Sequence, residues 1–306
     1  MSGTVPIGPH GGDGAALAAA LGVPPEVILD LSASLNPVAP DVRRLAAGHL
    51  DELRRYPDEA AATAAMAEVL GADVEQVVLT NGGAEAIALV AELLPIGWVD
   101  EPDFSLYTRH LRELRAGAPR WRSNPHNPSG RLATAEEKAA VWDEAFYQLA
   151  TGCWTRGDGE ITVGSLTKLF ACPGLRLGYV VATDPELAKQ LRGLKPRWSV
   201  NALACALAPE LLALADLRGW AQSVASLRAE LVDMLASHGL RADPSDANFV
   251  LVREAAGLRD WLARRGVLVR DTASFDIPRG VRIAVPNLTG LEQLANALGG
   301  YSHETV

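Results

Sequence analysis

Lys168 ends a short hydroxyl-bearing run, Gly164-Ser165-Leu166-Thr167-Lys168, with Leu169 and Phe170 behind it and Arg176 further on, between Leu175 and Leu177. Apolar surroundings disfavour the charged form of a lysine and leave a neutral amine nucleophile near pH 7. Such an amine forms a Schiff base with a carbonyl. Ser165, Thr167 and Arg176 suit a phosphate, the arginine as a planar, bidentate partner. These residue types together fit a group that carries both an aldehyde and a phosphate. They equally admit a plain structural reading, a surface lysine followed by an arginine at a strand end.

The elements around this segment alternate. Val77–Thr80 reads as a buried strand, Asn81-Gly82-Gly83 as a turn and Ala84–Leu94 as a helix. Amides of Gly83 and Ala84 at that helix start would favour an anion, although an ordinary strand–helix connection looks the same in sequence. Strands follow at Ile96–Val99, Pro119–Ser123, Val141–Tyr147, Ile161–Gly164 and Leu177–Ala182, with helices predicted over Phe104–Ala116 and Thr134–Ala140. Asn124-Pro125 and Asn127-Pro128 force extended or turn backbone at both asparagines, a rigid loop able to present an amide. This alternation predicts an α/β domain with a mainly parallel sheet. After Asp184 helices dominate: Pro185–Leu194, then a long stretch from Val200 to about His238. Strands at Asn248–Val252, Val267–Arg270 and Val281–Val285 complete a smaller α+β unit. The expected organisation is an arm over 1–36 that partly joins the small domain, a large domain over 37–198 and a small domain over 199–306, with the switch near Trp198.

The order of motifs resembles that of the fold type I enzymes dependent on pyridoxal phosphate (PLP). The carriers are Ser-Leu-Thr-Lys-x-Phe-x-x-Pro-Gly-Leu-Arg-Leu-Gly-Tyr around Lys168, Gly82-Gly83-Ala84-Glu85, Asn127-Pro128-Ser129-Gly130, Asp143-Glu144-Ala145-Phe146 and Val281-Arg282-Ile283-Ala284-Val285. The resemblance implies PLP as cofactor and Lys168 as the Schiff-base lysine. It further implies Asp143 at the pyridine nitrogen, Asn127 at the ring hydroxyl, and Gly83, Ala84, Ser165, Thr167 and Arg176 at the phosphate. An aromatic stacks on the ring in this family; of Phe104 and Tyr107, Tyr107 is favoured. Arg282 is implied as a carboxylate-binding arginine. Tyr56, in Arg-Tyr-Pro-Asp, is implied to reach a neighbour's cofactor phosphate in a homodimer. Singly, Asp143 also reads as a strand-end cap, Tyr107 as core and Arg282 as a surface strand residue.

A narrower resemblance, to the L-threonine O-3-phosphate decarboxylases of cobalamin biosynthesis, is carried by His10-Gly11-Gly12, by Ile28–Pro37, by Trp198–Ala202 and by Leu268-Val269-Arg270-Asp271. It implies His10 at a substrate phosphate, Arg270 and Arg282 at a carboxylate, and Asn36 nearby. Histidinol-phosphate aminotransferases share the core motifs and supply the alternative reaction. Phe146 replaces a common tyrosine, as in the decarboxylase branch. The stretches from Tyr107 to Asn124 and from Gly130 to Asp143 are short, so a trimmed relative that binds PLP without turnover is a third reading.

Composition limits the remaining classes. The chain has 306 residues, 48% hydrophobic and 21% charged, the range of a globular protein with a sizeable core. Mean hydropathy is +0.08, and the longest apolar run, near Ala86–Trp98, is broken by Glu92, so no membrane span is expected. Met1–Gly12 lacks a basic and an apolar region, so no signal peptide is expected. Cys153, Cys172 and Cys205 fit no metal or redox spacing; reduced thiols, a cytoplasmic location and no metal are expected. A net charge of −9 argues against nucleic acid as partner and leaves a small anionic substrate open.

Overall fold

The computed structural model describes residues 11–301. Among these, the chain forms twelve strands: β1 (Leu29–Asp30), β2 (Val77–Thr80), β3 (Ile96–Val99), β4 (Glu113–Leu114), β5 (Arg120–Ser123), β6 (Val141–Asp143), β7 (Ile161–Ser165), β8 (Gly178–Ala182), β9 (Phe249–Val252), β10 (Val267–Leu268), β11 (Arg270–Asp271) and β12 (Val281–Ala284). They divide between two compact units, one of residues up to Val38 with Pro128–Arg131 and Gln222 onward, the other of Ala39–Asn127 and Leu132–Ala221. No helix of the described residues is long and apolar enough to cross a membrane, and no cluster of metal-ligating side chains occurs among them.

The larger unit is built on a seven-stranded sheet in the order β2-β8-β7-β6-β5-β3-β4. The pairs β3–β4, β3–β5, β5–β6 and β6–β7 are parallel, and β8 runs antiparallel to both its neighbours. β2 and β7 are buried along their whole length, as strands covered on both faces must be. The helix Gly82–Leu93 covers one part of the sheet, Ala86, Ile87 and Val90 packing with Val78, Val141, Ile161 and Val180. The parallel register matters most for function. Ser123 lies opposite Asp143, so the carboxyl ends of β5 and β6 finish level, while β7 runs past Val163, the residue opposite Asp143, to Ser165. Ligands of open α/β sheets bind outside such ends.

Two predicted helices are cut down, each for a visible reason. Over Phe104–Ala116 only Leu106–His110 is helical. The chain then extends so that Arg112 N donates to Pro95 O at 2.8 Å and Arg115 N to Gly97 O at 2.9 Å, adding the short edge strand β4. Thr134–Ala140 is not helical either. Its carbonyls are satisfied from outside: Arg156 Nη2 donates to Thr134 O at 2.8 Å and Glu137 O at 3.2 Å, and Nη1 to Ala133 O at 3.2 Å. The same guanidinium lies over the Trp142 ring, 5.0 Å from its centroid, and pairs with Asp158 at 2.8 Å. Arg122 pairs with Glu137 beside it. The β5–β6 crossover is thus a helixless loop held by guanidinium groups.

The division expected near Trp198 falls instead at residues 221–222, inside the helix Leu217–Ser237. The helix Ala202–Ala213 stays with the larger unit because its small buried face packs on the alanine-rich helix Ala60–Leu70. The predicted continuous helix from Val200 breaks after Ala213, where the Asp216 carboxylate accepts from Gly219 N at 3.0 Å and caps a new start.

In the smaller unit β11-β12-β9 form an antiparallel sheet and β1 runs parallel to β10. Ala284 N donates to Leu31 O at 2.9 Å, tying the end of β1 to β12. Leu31, Leu231, Val250, Leu262, Ile283 and Leu294 lie in its apolar core.

Replacing Arg156 by alanine orphans these crossover carbonyls together. We expect Arg156→Ala to lose about 2–4 kcal/mol, read as a lower urea midpoint with an unchanged slope.

Candidate active site

Asp143 ends β6 and is buried. Its Oδ2 accepts from the Tyr107 hydroxyl at 2.8 Å and its Oδ1 from Ala145 N at 3.0 Å. Burial pushes its carboxyl up from the ordinary range. The Tyr107 hydrogen bond, the Ala145 amide and the positive charge of Lys168 oppose that shift. Both oxygens therefore act as acceptors, the pattern of a carboxylate already stripped of water and held ready for a cation.

Lys168 lies just beyond β7, in the single helical turn Leu166–Leu169. Leu166, Leu169 and Phe170 are buried around it, and the lysine itself is half-buried. Leu166 N donates to Leu177 O at 3.0 Å and Cys172 N to Thr167 O at 3.0 Å, so the turn is fixed from both sides.

The phosphate candidates converge on the start of the helix Gly82–Leu93. Gly82 has φ +74°, and a Cβ on it would lie 2.3 Å from Arg176 Nη2. A Cβ on Gly83 would approach the Ser165 Cβ at 3.3 Å. Gly178, opposite Thr80 and Ser165 in the sheet, leaves room for this turn: its Cβ would sit 2.6 Å from the Gly82 carbonyl carbon. Ser165 Oγ and Thr167 Oγ1 are 2.8 Å apart. Arg176, at φ 56°, reaches Pro173 O at 3.3 Å and Asn81 O at 3.4 Å through long, weak hydrogen bonds. First-turn amides, including those of Gly83 and Ala84, have no intrahelical acceptor. Two hydroxyls, a guanidinium and a helix N-terminus make a cradle that a side chain at Gly82 would fill, and its charge and size fit a phosphate.

The ring-face candidate needs correction. Tyr107 is fully buried, and its hydroxyl is bound to Asp143, so it offers no open face for stacking. It holds the Asp143 carboxylate instead. Phe104 is only half-buried and meets the Tyr107 ring edge-on with centroids 5.8 Å apart.

Asn127 is buried, and its backbone N–H donates to Ser123 Oγ at 2.7 Å. Ser123 in turn bonds Asp103, by Oγ to Oδ1 at 2.5 Å and by N to Oδ2 at 3.1 Å. Sequence reasoning missed Asp103 and Ser123. Their one signal was a carboxylate directly after Pro102 and a hydroxyl at a predicted strand end.

Lys168, Asp143, Tyr107, Asn127 and the phosphate cradle all belong to the larger unit. So does Tyr56, which is exposed and stacks on the exposed Trp198 ring at 4.5 Å. The substrate candidates belong to the other unit. Arg270 and Arg282 are direct cross-strand partners and both are buried. Arg282 lies over the Phe249 ring at 4.5 Å, Arg270 over Phe275 at 5.4 Å, and Arg270 Nη2 donates to Ser274 Oγ at 3.1 Å. Burial, and then the Arg270 charge, push the Arg282 guanidinium down. Asn36 is buried and its Oδ1 accepts from Val38 N at 3.0 Å. His10 lies outside the described residues. Its neighbours are anchored: Gly12 N donates to Ser32 Oγ at 2.8 Å, and a Cβ on Gly11 would fall 2.1 Å from Ser32 O.

An amine beside a buried carboxylate, with a phosphate cradle at the end of the same sheet, is the outfit of a phosphorylated aldehyde cofactor. Residues 121–298 match the aminotransferase class I and II family, and the chain belongs to that family. Its enzymes work through pyridoxal phosphate, and the present fold is their fold type I. The chain is 30% identical to a histidinol-phosphate aminotransferase of Stutzerimonas stutzeri, over 88% of this chain and 87% of that protein. It is also 30% identical to the threonine-phosphate decarboxylase of Salmonella typhimurium, over 94% of this chain and 95% of that one. Among solved structures, the histidinol-phosphate aminotransferase from Sinorhizobium meliloti in complex with pyridoxal-5'-phosphate superposes with a TM-score of 0.80 at 20% identity, covering 97% of each chain.

Gly82→Ala would push a methyl group into Arg176 in a backbone conformation that disfavours alanine. We expect cofactor affinity to fall at least about tenfold, or about 1.4 kcal/mol, in a fluorescence titration with PLP.

Proposed function

We propose that this chain is a PLP-dependent lyase that decarboxylates a phosphorylated amino acid of the threonine O-3-phosphate type, as in cobalamin biosynthesis. The observation that carries the reading is the Arg270–Arg282 pair. Two buried guanidinium groups directly opposite each other on paired strands repel. An α-carboxylate between them would receive two planar forks. His10 supplies the cation for the substrate phosphate, from an arm whose next residues are fixed against Ser32. A neutral imidazole gains a proton beside such an anion. Asn36 shapes the same end of that unit through its turn to Val38.

When bound, PLP supplies an electron sink for the breaking bond at Cα. Lys168 would hold the cofactor aldehyde and is the amine placed to move a proton at the reacting carbon. Asp143 holds the proton on the pyridine nitrogen. Asn127 contacts the ring hydroxyl, and Phe104 covers the ring. Gly83, Ala84, Ser165, Thr167 and Arg176 would hold the phosphate. The arginine pair orients the carboxylate, which decides which bond is weakened. Tyr56, exposed beside Trp198, is suited to reach the cofactor phosphate of a second copy, and we take the working form to be a cytoplasmic homodimer.

The second reading is transamination of the histidinol-phosphate type, favoured by an equal identity to that relative. Incubation with threonine phosphate, and separately with histidinol phosphate plus 2-oxoglutarate, separates the two. Carbon dioxide release from the first without glutamate from the second is the expected result; the reverse establishes the aminotransferase. No turnover of either, with PLP bound, leaves the trimmed relative.

Two variants probe the roles. Asp143→Asn should keep PLP bound but slow turnover by at least about a thousandfold, because an amide cannot hold the nitrogen protonated; near-normal turnover removes Asp143 from the site. Arg282→Ala should raise KM for threonine phosphate by about tenfold or more, with a smaller change in kcat.

A further inference from the structure

Two neighbouring residues of the smaller unit touch both parts of the candidate substrate site. Asn248 immediately precedes β9, and Phe249 is the first residue of that strand. Phe249 and Leu251 share a face of the sheet with Arg282 and Arg270, through the pairs Ala284–Phe249, Arg282–Leu251 and Arg270–Arg282. On that face the Arg282 guanidinium is seated over the Phe249 ring, 4.5 Å from its centroid. A guanidinium is attracted to an aromatic face. Asn248 reaches a different segment. Its Nδ2 donates to Ser34 O at 2.7 Å and, more weakly, to Leu35 O at 3.4 Å, directly before Asn36.

This contact holds a shape and does not merely fill space. Ser34 has φ 48°, a left-handed conformation that strains a residue other than glycine and persists only where its surroundings impose it. Ser34, Asn36 and Asn248 are all buried. Asn248 Oδ1 and Ser34 Oγ have no hydrogen-bond partner among the described residues. A leucine at position 248 would fill a similar volume without an unpaired oxygen, so packing alone does not account for the amide. What the amide adds is a pair of donor hydrogens, and both successive carbonyls of the Ser34–Leu35 turn lie within their reach.

Asn248 is itself fixed from both sides. Arg228 Nη1 donates to Asp246 O at 3.0 Å and to Ala247 O at 2.9 Å. Ser245 Oγ donates to Phe249 O at 2.6 Å, and Asn248 O accepts from Val285 N at 2.9 Å. Beyond the clamped carbonyls, Asn36 Oδ1 accepts from Val38 N at 3.0 Å and completes the turn.

We propose that Asn248 is a positioning residue of the substrate site: it clamps the Ser34–Asn36 segment to the start of β9, the strand whose first ring seats Arg282. The clamp gives an amide from one end of the chain and a guanidinium from the other a common reference, so that both meet one substrate without rearrangement. Asn248 touches no reacting group and acts only through Asn36.

The inference rests on Asn36 and Arg282 meeting the substrate, but the clamp can be read without one. Hydrogen exchange of the full-length, PLP-loaded protein, followed by mass spectrometry, compares three segments. Asn248→Ala should speed exchange within residues 31–38 by about tenfold and leave 249–252 and 281–285 as in the wild type. A residue that merely stabilised the fold would speed all three together. In steady-state kinetics with threonine phosphate, Asn248→Ala should raise KM by about tenfold and change kcat by less than about twofold. If Asn248→Ala does not fold, Asn248→Ser keeps one donor and should speed exchange within 31–38 by about threefold. Unchanged exchange within 31–38, or acceleration of all three segments, overturns the proposal. So does a wild-type KM in Asn248→Ala where Arg282→Ala raises it. If the wild type does not turn over threonine phosphate, or Arg282→Ala leaves KM unchanged, the substrate reading fails, and the exchange pattern still decides the clamp.

Discussion

A carboxylate taken out of water has to be solvated again by the protein, and the larger unit is arranged to do this for Asp143. Its burial disfavours the anion by several kcal/mol before any partner acts. The Tyr107 hydroxyl, the Ala145 amide and the charge of Lys168 replace the lost water. Each depends on a different element: Tyr107 on the short helix after β3, Ala145 on the turn after β6, Lys168 on the turn after β7. The neighbouring carboxyl ends of three parallel strands are what allow these elements to meet at one point. A slip of one residue in β6 would turn Asp143 to the opposite face of the sheet.

The phosphate cradle answers the opposite problem, close approach rather than burial. Three glycines lie where backbone, arginine and serine crowd together. At Gly82 and Gly178 a methyl group would come within 2.6 Å of a heavy atom. The positive φ of Gly82 turns the chain out of β2 directly into a helix N-terminus. Geometry here excludes side chains so that amides and one guanidinium can face a small anion.

Much of this was legible in sequence where the signal is local. Ile96–Val99 and Pro185–Leu194 begin and end where their apolar pattern and their proline or aspartate caps indicate. The lysine segment, the glycine turn and the Asp-Glu-Ala-Phe strand end were readable because each carries its chemistry within a few residues. What failed was non-local. Leu111 leaves its helix to satisfy backbone groups at Pro95–Gly97, and nothing in its own neighbourhood announces that. The choice between Phe104 and Tyr107 turns on which ring faces Asp143, 36 residues beyond Tyr107 in a strand not yet paired. Asp103 and Ser123 gain meaning only from each other, across the β3–β5 pairing. The division at residues 221–222 reflects a contact between Ala202–Ala213 and Ala60–Leu70, two alanine-rich faces without a marker of partnership.

The helixless crossover between β5 and β6 has a kinetic side. A helix in that position would start to form from its own residues, within microseconds of the chain becoming free to move. This crossover instead takes its shape from Arg156, which arrives after β6 and the helix Tyr147–Thr151. The loop from Ala133 to Glu137 keeps local contacts, Thr134 N donating to the Glu137 carboxylate at 2.9 Å, but its carbonyls find the Arg156 guanidinium only when the downstream segment has closed over Trp142. Its ordering is postponed to the stage at which the sheet itself assembles, and the cost of closing that larger loop is met only then. A crossover built in this way gives up an element able to nucleate early and takes the last of its hydrogen bonds from a side chain beyond the strand it leads into.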